Sequence, residues 1–257
     1  MVPTGFGRDG TATARHGGVV SITGAIPGEA VRVRALAHRR GVTHARIVEV
    51  LDPSPDRVGP PCAEIANGCG ACPWQHLDLA AQRTAKVDRV AAALGVEVDE
   101  LEPLVPLAAT GFRTTIQAAV DRGRAGFRRY RSHRVVPVAG CLVAHPLLVD
   151  LVTEARYGDA TEVLLRCGSR TGERMAAPIP HGAAISVPDD VHRDRIHEEA
   201  AGRRWRISAD SFAQASPEAT EALVDAVLRA ADEVPIRRAL DLYSGVRSEE
   251  HTSELQS

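Results

Sequence analysis

The chain has 257 residues, of which 44% are hydrophobic and 25% charged, with a formal net charge of −2. This is long enough for two domains or more and has the composition of an ordinary globular protein. No stretch approaches the ~20 apolar residues that span a bilayer, and Met1-Val2-Pro3-Thr4-Gly5-Phe6-Gly7 lacks the basic-then-apolar pattern of an export signal, so a cytoplasmic protein with no membrane partner is expected. A near-neutral total conceals strongly basic segments.

In chain order, residues 8 to about 52 read as short strands separated by glycine: Gly10 to Ala14, Val19 to Thr23, Ala30 to Leu36 and Thr43 to Leu51, with a turn at Pro27-Gly28. Val31, Val33 and Ala35 alternate with Arg32 and Arg34, which sends arginines to one face. The pattern fits a small β-barrel of oligonucleotide-binding type. Seven arginines stand against three acidic residues in the first fifty positions, so a phosphate-facing surface is expected, with simple solvation as the alternative.

Cys62, Cys69 and Cys72 follow in a C-x6-C-x2-C pattern that runs into Pro73-Trp74-Gln75-His76, and Cys141 stands apart. Reduced thiols clustered in this way point to a metal, either zinc or an iron-sulfur cluster; four unrelated thiols is the plainer alternative. Asp78 caps an expected helix through Leu94, ended by Gly95, with Val87, Val90 and Leu94 on one stripe. Glu97 to Leu107 reads as a linker.

Thr114 to Val120, a turn at Asp121-Arg122-Gly123, Ala125 to Tyr130 and Arg134 to Val138 read as an antiparallel hairpin system. Seven arginines and one aspartate lie between Gly111 and Arg134, interleaved with Phe112, Phe127 and Tyr130. Aromatic platforms among cations suit single-stranded nucleic acid, although arginines laid over their own aromatics would give the same pattern. A helix at Leu147 to Ala155 and strands at Glu162 to Cys167 and Arg204 to Ser208 are expected. Cys167 reads as a buried thiol, and Asp189 to Glu199, with His192 and His197, as a solvated loop.

Ser216 caps a last helix with Pro217 at its first position, a buried stripe of Leu223, Val224, Val227 and Leu228, and Pro235 at its end. Ala239-Leu240-Asp241-Leu242-Tyr243-Ser244-Gly245 then reads as the first strand and glycine turn of a doubly wound sheet. Residues 247–257, Arg-Ser-Glu-Glu-His-Thr-Ser-Glu-Leu-Gln-Ser, break the composition of everything before them. They are expected to be an artefactual tail, with the native protein continuing beyond Val246.

Taken in order, Pro27 to Val33, Pro53 to Val58, Cys69 to His76, Ser132 to Val136, Ser211 to Gln214 and Leu240 to Val246 resemble motifs of the S-adenosylmethionine-dependent RNA uracil-C5 methyltransferases that carry a TRAM domain and a [4Fe-4S] cluster. Ala71 and Arg247 depart from the family pattern.

The resemblance implies a multidomain α+β fold. Residues 1–55 would be a TRAM barrel of OB-like form, 56–100 the iron-sulfur cysteine loop with its helix, 101–210 a central antiparallel α+β domain, and 211–246 the truncated start of a Rossmann-like methyltransferase domain. It also implies Cys62, Cys69, Cys72 and Cys141 as cluster ligands, and Gln214, Tyr243 and Gly245 at the methyl-donor site. RNA is the implied partner, ribosomal ahead of transfer RNA. In the family a cysteine attacks C6 of the uracil, C5 takes the methyl group and a base removes the C5 proton. Both groups are expected beyond Val246, so no catalytic residue is assigned and this chain alone is expected to be inactive. A zinc-bearing RNA-binding module and a TRAM-containing methylthiotransferase are the competing readings.

Overall fold

A computed structural model of the chain describes residues 1–7, 9–232 and 238. The expected strand at 239–242, Tyr243, Gly245, the helix stop at Pro235 and the tail at 247–257 lie outside the described residues. Backbone contacts divide the chain into two compact units, one of residues 1–66 with 70–104 and one of residues 67–69 with those from 105 onward.

In the first unit β1 (Gly5–Phe6), β2 (Ala12–Arg15), β3 (Val19–Thr23), β4 (Ala30–Arg39) and β5 (Val42–Asp52) form one sheet in the order β1-β2-β3-β5-β4, with β3 and β5 parallel. Ala12, Ala14, Val20, Ile22, Val31 and Ala45 form its core. Met1 donates to the Val31 carbonyl at 2.7 Å and accepts from the Val31 amide at 2.9 Å. The segment before β1 therefore lies along β4 at the opposite edge, and the sheet closes on itself. Closure protects edges that would otherwise present unpaired backbone groups. The valine and arginine alternation read from the sequence holds only at the start of β4: Val31 is buried and Val33 half-buried while Arg32 and Arg34 are exposed, but Ala35 is exposed too, where the register of β4 shifts against β5.

Helix α1 (Leu79–Leu94) begins where Asp78 accepts from the Ala80 amide at 2.8 Å and ends at Gly95, whose φ of 71° is the left-handed conformation a helix end favours. The expected stripe is not its buried face. Val90 and Leu94 are exposed, and the small Ala85 and Ala91 are buried instead. The helix is tied down by polar contacts: Gln82 donates to the Trp74 and Leu77 carbonyls at 3.1 and 2.8 Å.

The second unit is a six-stranded sheet, ordered β11-β10-β9-β6-β7-β8, formed by β6 (Thr115–Asp121), β7 (Arg124–Arg128), β8 (Val135–Pro137), β9 (Glu162–Cys167), β10 (Arg174–Ile179) and β11 (Val191–His192). Arg122 and Gly123 turn β6 into β7 with φ of 50° and 73°, the two positive angles of a type I′ hairpin. Helix α2 (Pro146–Thr153) covers one face, burying Leu148, Leu151 and Val152 against Val163, Leu165 and Tyr157.

The opposite face meets a hairpin of β12 (Arg195–Ala200) and β13 (Arg203–Ser208) through Met175, Ile196, Ile207 and Leu164. Asp189 to Glu199 is thus largely sheet rather than a solvated loop. Its inward side chains are Ile196, Glu198 and Ala200, and the buried carboxylate in the middle masks the apolar alternation. Glu198 is satisfied by the Ser169, Arg170 and Glu199 amides and the Ser169 hydroxyl.

Helix α3 (Pro217–Asp232) starts at Ser216, whose hydroxyl accepts from the Ala219 amide at 3.1 Å. A forked ion pair from Arg170 to Glu221 holds it. Its expected buried stripe is largely open: Leu223, Val227 and Leu228 are each more than half exposed and Val224 is half-buried.

Candidate functional site

Trp74, Gln75 and His76, which follow Cys72 closely, each have a structural task in the first unit. Trp74 donates from its indole to the Gly10 carbonyl at 2.6 Å, and its ring lies 4.8 Å from that of Phe6. The Gln75 side-chain oxygen accepts from the Cys62 amide at 3.0 Å. The carbonyl of His76 accepts from Val58, while the ring Nε2 is buried with no partner among the described residues. Burial, with Arg57 nearby, holds the imidazole pKa below its ordinary value and keeps the ring neutral. The cysteine loop is thereby bound to the sheet beside it.

That sheet is stapled by one buried ion pair. Glu29, with no side-chain exposure, receives a fork from Arg57, which also donates to the Gly24 carbonyl at 2.8 Å. Burial alone would raise the Glu29 pKa, but Arg57 and the amides of Ile26 and Ser54 outweigh it and hold the carboxyl below the usual range. The segments Pro27 to Val33 and Pro53 to Val58 meet in this pair.

All five cysteines carry thiols. Cys62 and Cys72 belong to the first unit and Cys69 and Cys141 to the second; all four are half-buried. Gly68, beside Cys69, has a φ of 96°, and an added Cβ would sit 2.8 Å from the Arg129 guanidinium carbon. The donor chemistry suits a thiolate-held cluster, yet among the described residues no three His, Cys, Asp or Glu side chains gather as a metal-ligand group. Cys167 stands apart from them. It is 2% exposed in β9, and burial, aided by Glu198, pushes its thiol up to about 12. It is therefore protonated at neutral pH and no nucleophile.

The basic segments divide in the same way. Every described arginine of the first fifty residues is exposed, and Arg34 on β4 stands directly opposite Arg46 on β5. Like charges opposed across strands repel, and neither arginine has an ion-pair partner among the described residues. In the second unit all seven arginines of residues 111–134 are exposed. The aromatic platforms are only partly present. Phe127 packs against the core, and Tyr130 lies under Arg131 at 5.4 Å, the self-stacked arrangement named as the alternative.

Gln214 follows β13 and is half-buried. It lines a cavity of about 660 Å³ whose walls include Trp205, Ile207, Phe212 and Leu223. Arg166 lines it too and was not singled out in the sequence. An arginine inside the apolar run Glu-Val-Leu-Leu-Arg-Cys is the signal that marks it.

The fold is similar to that of the Pyrococcus abyssi tRNA (uracil-54, C5)-methyltransferase, solved with S-adenosyl-L-homocysteine. The TM-score is 0.62 at 18% identity, over 89% of this chain and 64% of that one. In sequence the chain is 32% identical to an uncharacterised RNA methyltransferase of Streptomyces coelicolor, over 95% of this chain and 62% of that protein. It is 36% identical to the 23S rRNA (uracil(1939)-C(5))-methyltransferase of Halomonas elongata, over 82% of this chain and 44% of that protein. The chain thus spans less than two thirds of the length of these relatives. No protein-family model matches it.

Proposed function

We propose that this chain carries the RNA-gripping part of an S-adenosylmethionine-dependent RNA (uracil-C5)-methyltransferase acting on ribosomal RNA. The observation that carries the RNA half is the Arg34–Arg46 opposition on β4 and β5, with no ion pair to either among the described residues. An arrangement that repels itself in isolation becomes favourable when a phosphate lies between the guanidinium groups. The named activities of the relatives support the methyltransferase half.

The proposed division has residues 1–55 as a TRAM barrel, 56–100 as the cysteine loop with its helix, 101–210 as the central domain and 211–246 as the opening of the methyl-donor domain. S-adenosylmethionine would supply the methyl group. Gln214 would orient it through amide hydrogen bonds, with Tyr243 and Gly245 beside it; the half-buried amide at a cavity with an aromatic wall supports this. A [4Fe-4S] cluster on Cys62, Cys69, Cys72 and Cys141 is proposed as a structural group with no step in methyl transfer. Four half-buried thiols support it, and iron and acid-labile sulfide in the anaerobically purified chain test it.

Filter binding of a uridine-containing single-stranded ribosomal RNA fragment across a salt series tests the RNA reading. Binding should weaken linearly in log-log form, and Arg46→Ala should lower the slope by roughly 1. A chain that ignores RNA at low salt would overturn the reading.

A further inference from the structure

Residues 209–215 lead from β13 to α3 and carry Gln214 without belonging to a helix or strand. The segment is nevertheless gripped at both ends. At its start Arg166 sends Nη1 to the Ser208 carbonyl and Nη2 to the Ser211 carbonyl, each at 2.5 Å. At its end the Ala215 carbonyl accepts from both the Thr114 amide and the Thr114 hydroxyl, at 2.8 and 3.0 Å. Thr114 is itself tied to Arg166's strand, because its carbonyl accepts from the Cys167 amide.

Arg166 is an unusual occupant of its position. In β9, Val163, Leu165 and Cys167 face the α2 core, while Leu164 faces the β12–β13 hairpin, and Arg166 shares the side of Leu164. It is only 6% exposed and has no ion-pair partner among the described residues, and its Nε lacks an acceptor there. The Asp210 carboxylate acts on this guanidinium only through its charge, with no ion pair between them, and the cost of burial still outweighs it; a leucine or methionine would fill the space without that cost. What an aliphatic side chain cannot do is span two carbonyls three residues apart. Lysine carries three donors on a single nitrogen and does not reproduce the two separate prongs of the planar fork.

We infer that Arg166 is a positioning residue: its fork holds residues 208–211 against β9 and thereby sets where the Gln214 amide stands at the cavity. This rests on the reading of Gln214 as a methyl-donor contact.

Hydrogen exchange and calorimetric titration with S-adenosyl-L-homocysteine on the whole chain, as wild type, Arg166→Met, Arg166→Lys and Gln214→Ala, test it. Arg166→Met should speed exchange across 209–216 by roughly tenfold or more, the scale of losing hydrogen bonds from a charged donor, while amides of β6 and β10 keep their protection. Arg166→Lys should not restore it. Ligand affinity should fall roughly tenfold in Arg166→Met, as well as in Gln214→Ala. If methionine, which matches the volume, protects the segment as well as arginine does, the inference is overturned. It is also overturned if the segment loosens and Gln214→Ala weakens binding while Arg166→Met leaves affinity intact. A Gln214→Ala chain that binds as wild type overturns the methyl-donor reading of Gln214 and with it the purpose assigned to the clamp. Segment exchange then still decides whether the clamp itself exists.

Discussion

The two units are held together by different kinds of contact. The first has a small core of alanines, valines and one isoleucine, and relies on polar staples: Glu29 with Arg57, Trp74 with Gly10, Gln75 with Cys62. The second packs Leu148, Leu151, Val163, Leu165 and Tyr157 into a larger aliphatic core, where the Tyr157 hydroxyl is spent on the Leu151 carbonyl. A polar staple works only with its own two partners, whereas an aliphatic contact accepts a substitute of similar volume. The short polar strings of the first unit are therefore structural words, and the second unit shows itself chiefly as periodicity.

The chain's two tryptophans, Trp74 and Trp205, lie one in each unit, so fluorescence in a Trp205→Phe or a Trp74→Phe background reports each unit separately. Arg57→Ala leaves Glu29 buried and unpaired and should cost the first unit about 3–5 kcal/mol in urea unfolding read through Trp74. An equal shift read through Trp205 would erase the contrast. Leu148→Ala opens a cavity in the second core and should cost about 2–5 kcal/mol read through Trp205, with the Trp74 transition unmoved. Asp78→Ala and Ser216→Ala remove one helix cap from each unit and should each cost about 1 kcal/mol in their own reporter.

The smallest effect is the pH dependence of the first unit. His76 and Glu29 both have folded pKa values below their ordinary ones of 6.5 and 4.5. In each case the unfolded chain takes up protons first as pH falls, so stability is full above the ordinary value and is lost on acidification. Unfolding midpoints followed through Trp74 should decline below pH 6.5 and again below pH 4.5. His76→Gln should flatten the upper limb alone. A flat profile in the wild type would contradict the burial described for His76 and the pairing with Arg57 described for Glu29.

Where local chemistry sets structure, the sequence was legible. Asp78 and Gly95 bounded α1, Asp121-Arg122-Gly123 marked the hairpin turn, and β3 and β9 lie at the expected bounds, Val19 to Thr23 and Glu162 to Cys167. Tertiary contacts hid the rest. The hairpin of β12 and β13 buries Glu198, a residue that reads as exposed unless its four donors are known. The stripes of α1 and α3 were right in spacing but are largely open, because Gln82 and the Arg170–Glu221 fork, not apolar packing, anchor those helices. In the candidate site, Gln214 was found through a motif, while Arg166, marked only by its place in an apolar run, acts through two backbone carbonyls that the sequence does not bring together.

The most direct test of the account is to delete the gene for this chain in its host and quantify 5-methyluridine in purified ribosomal and transfer RNA by nucleoside mass spectrometry. The account predicts that ribosomal RNA loses 5-methyluridine at one or more positions and regains it on complementation. An unchanged 5-methyluridine complement in both RNA classes would contradict it.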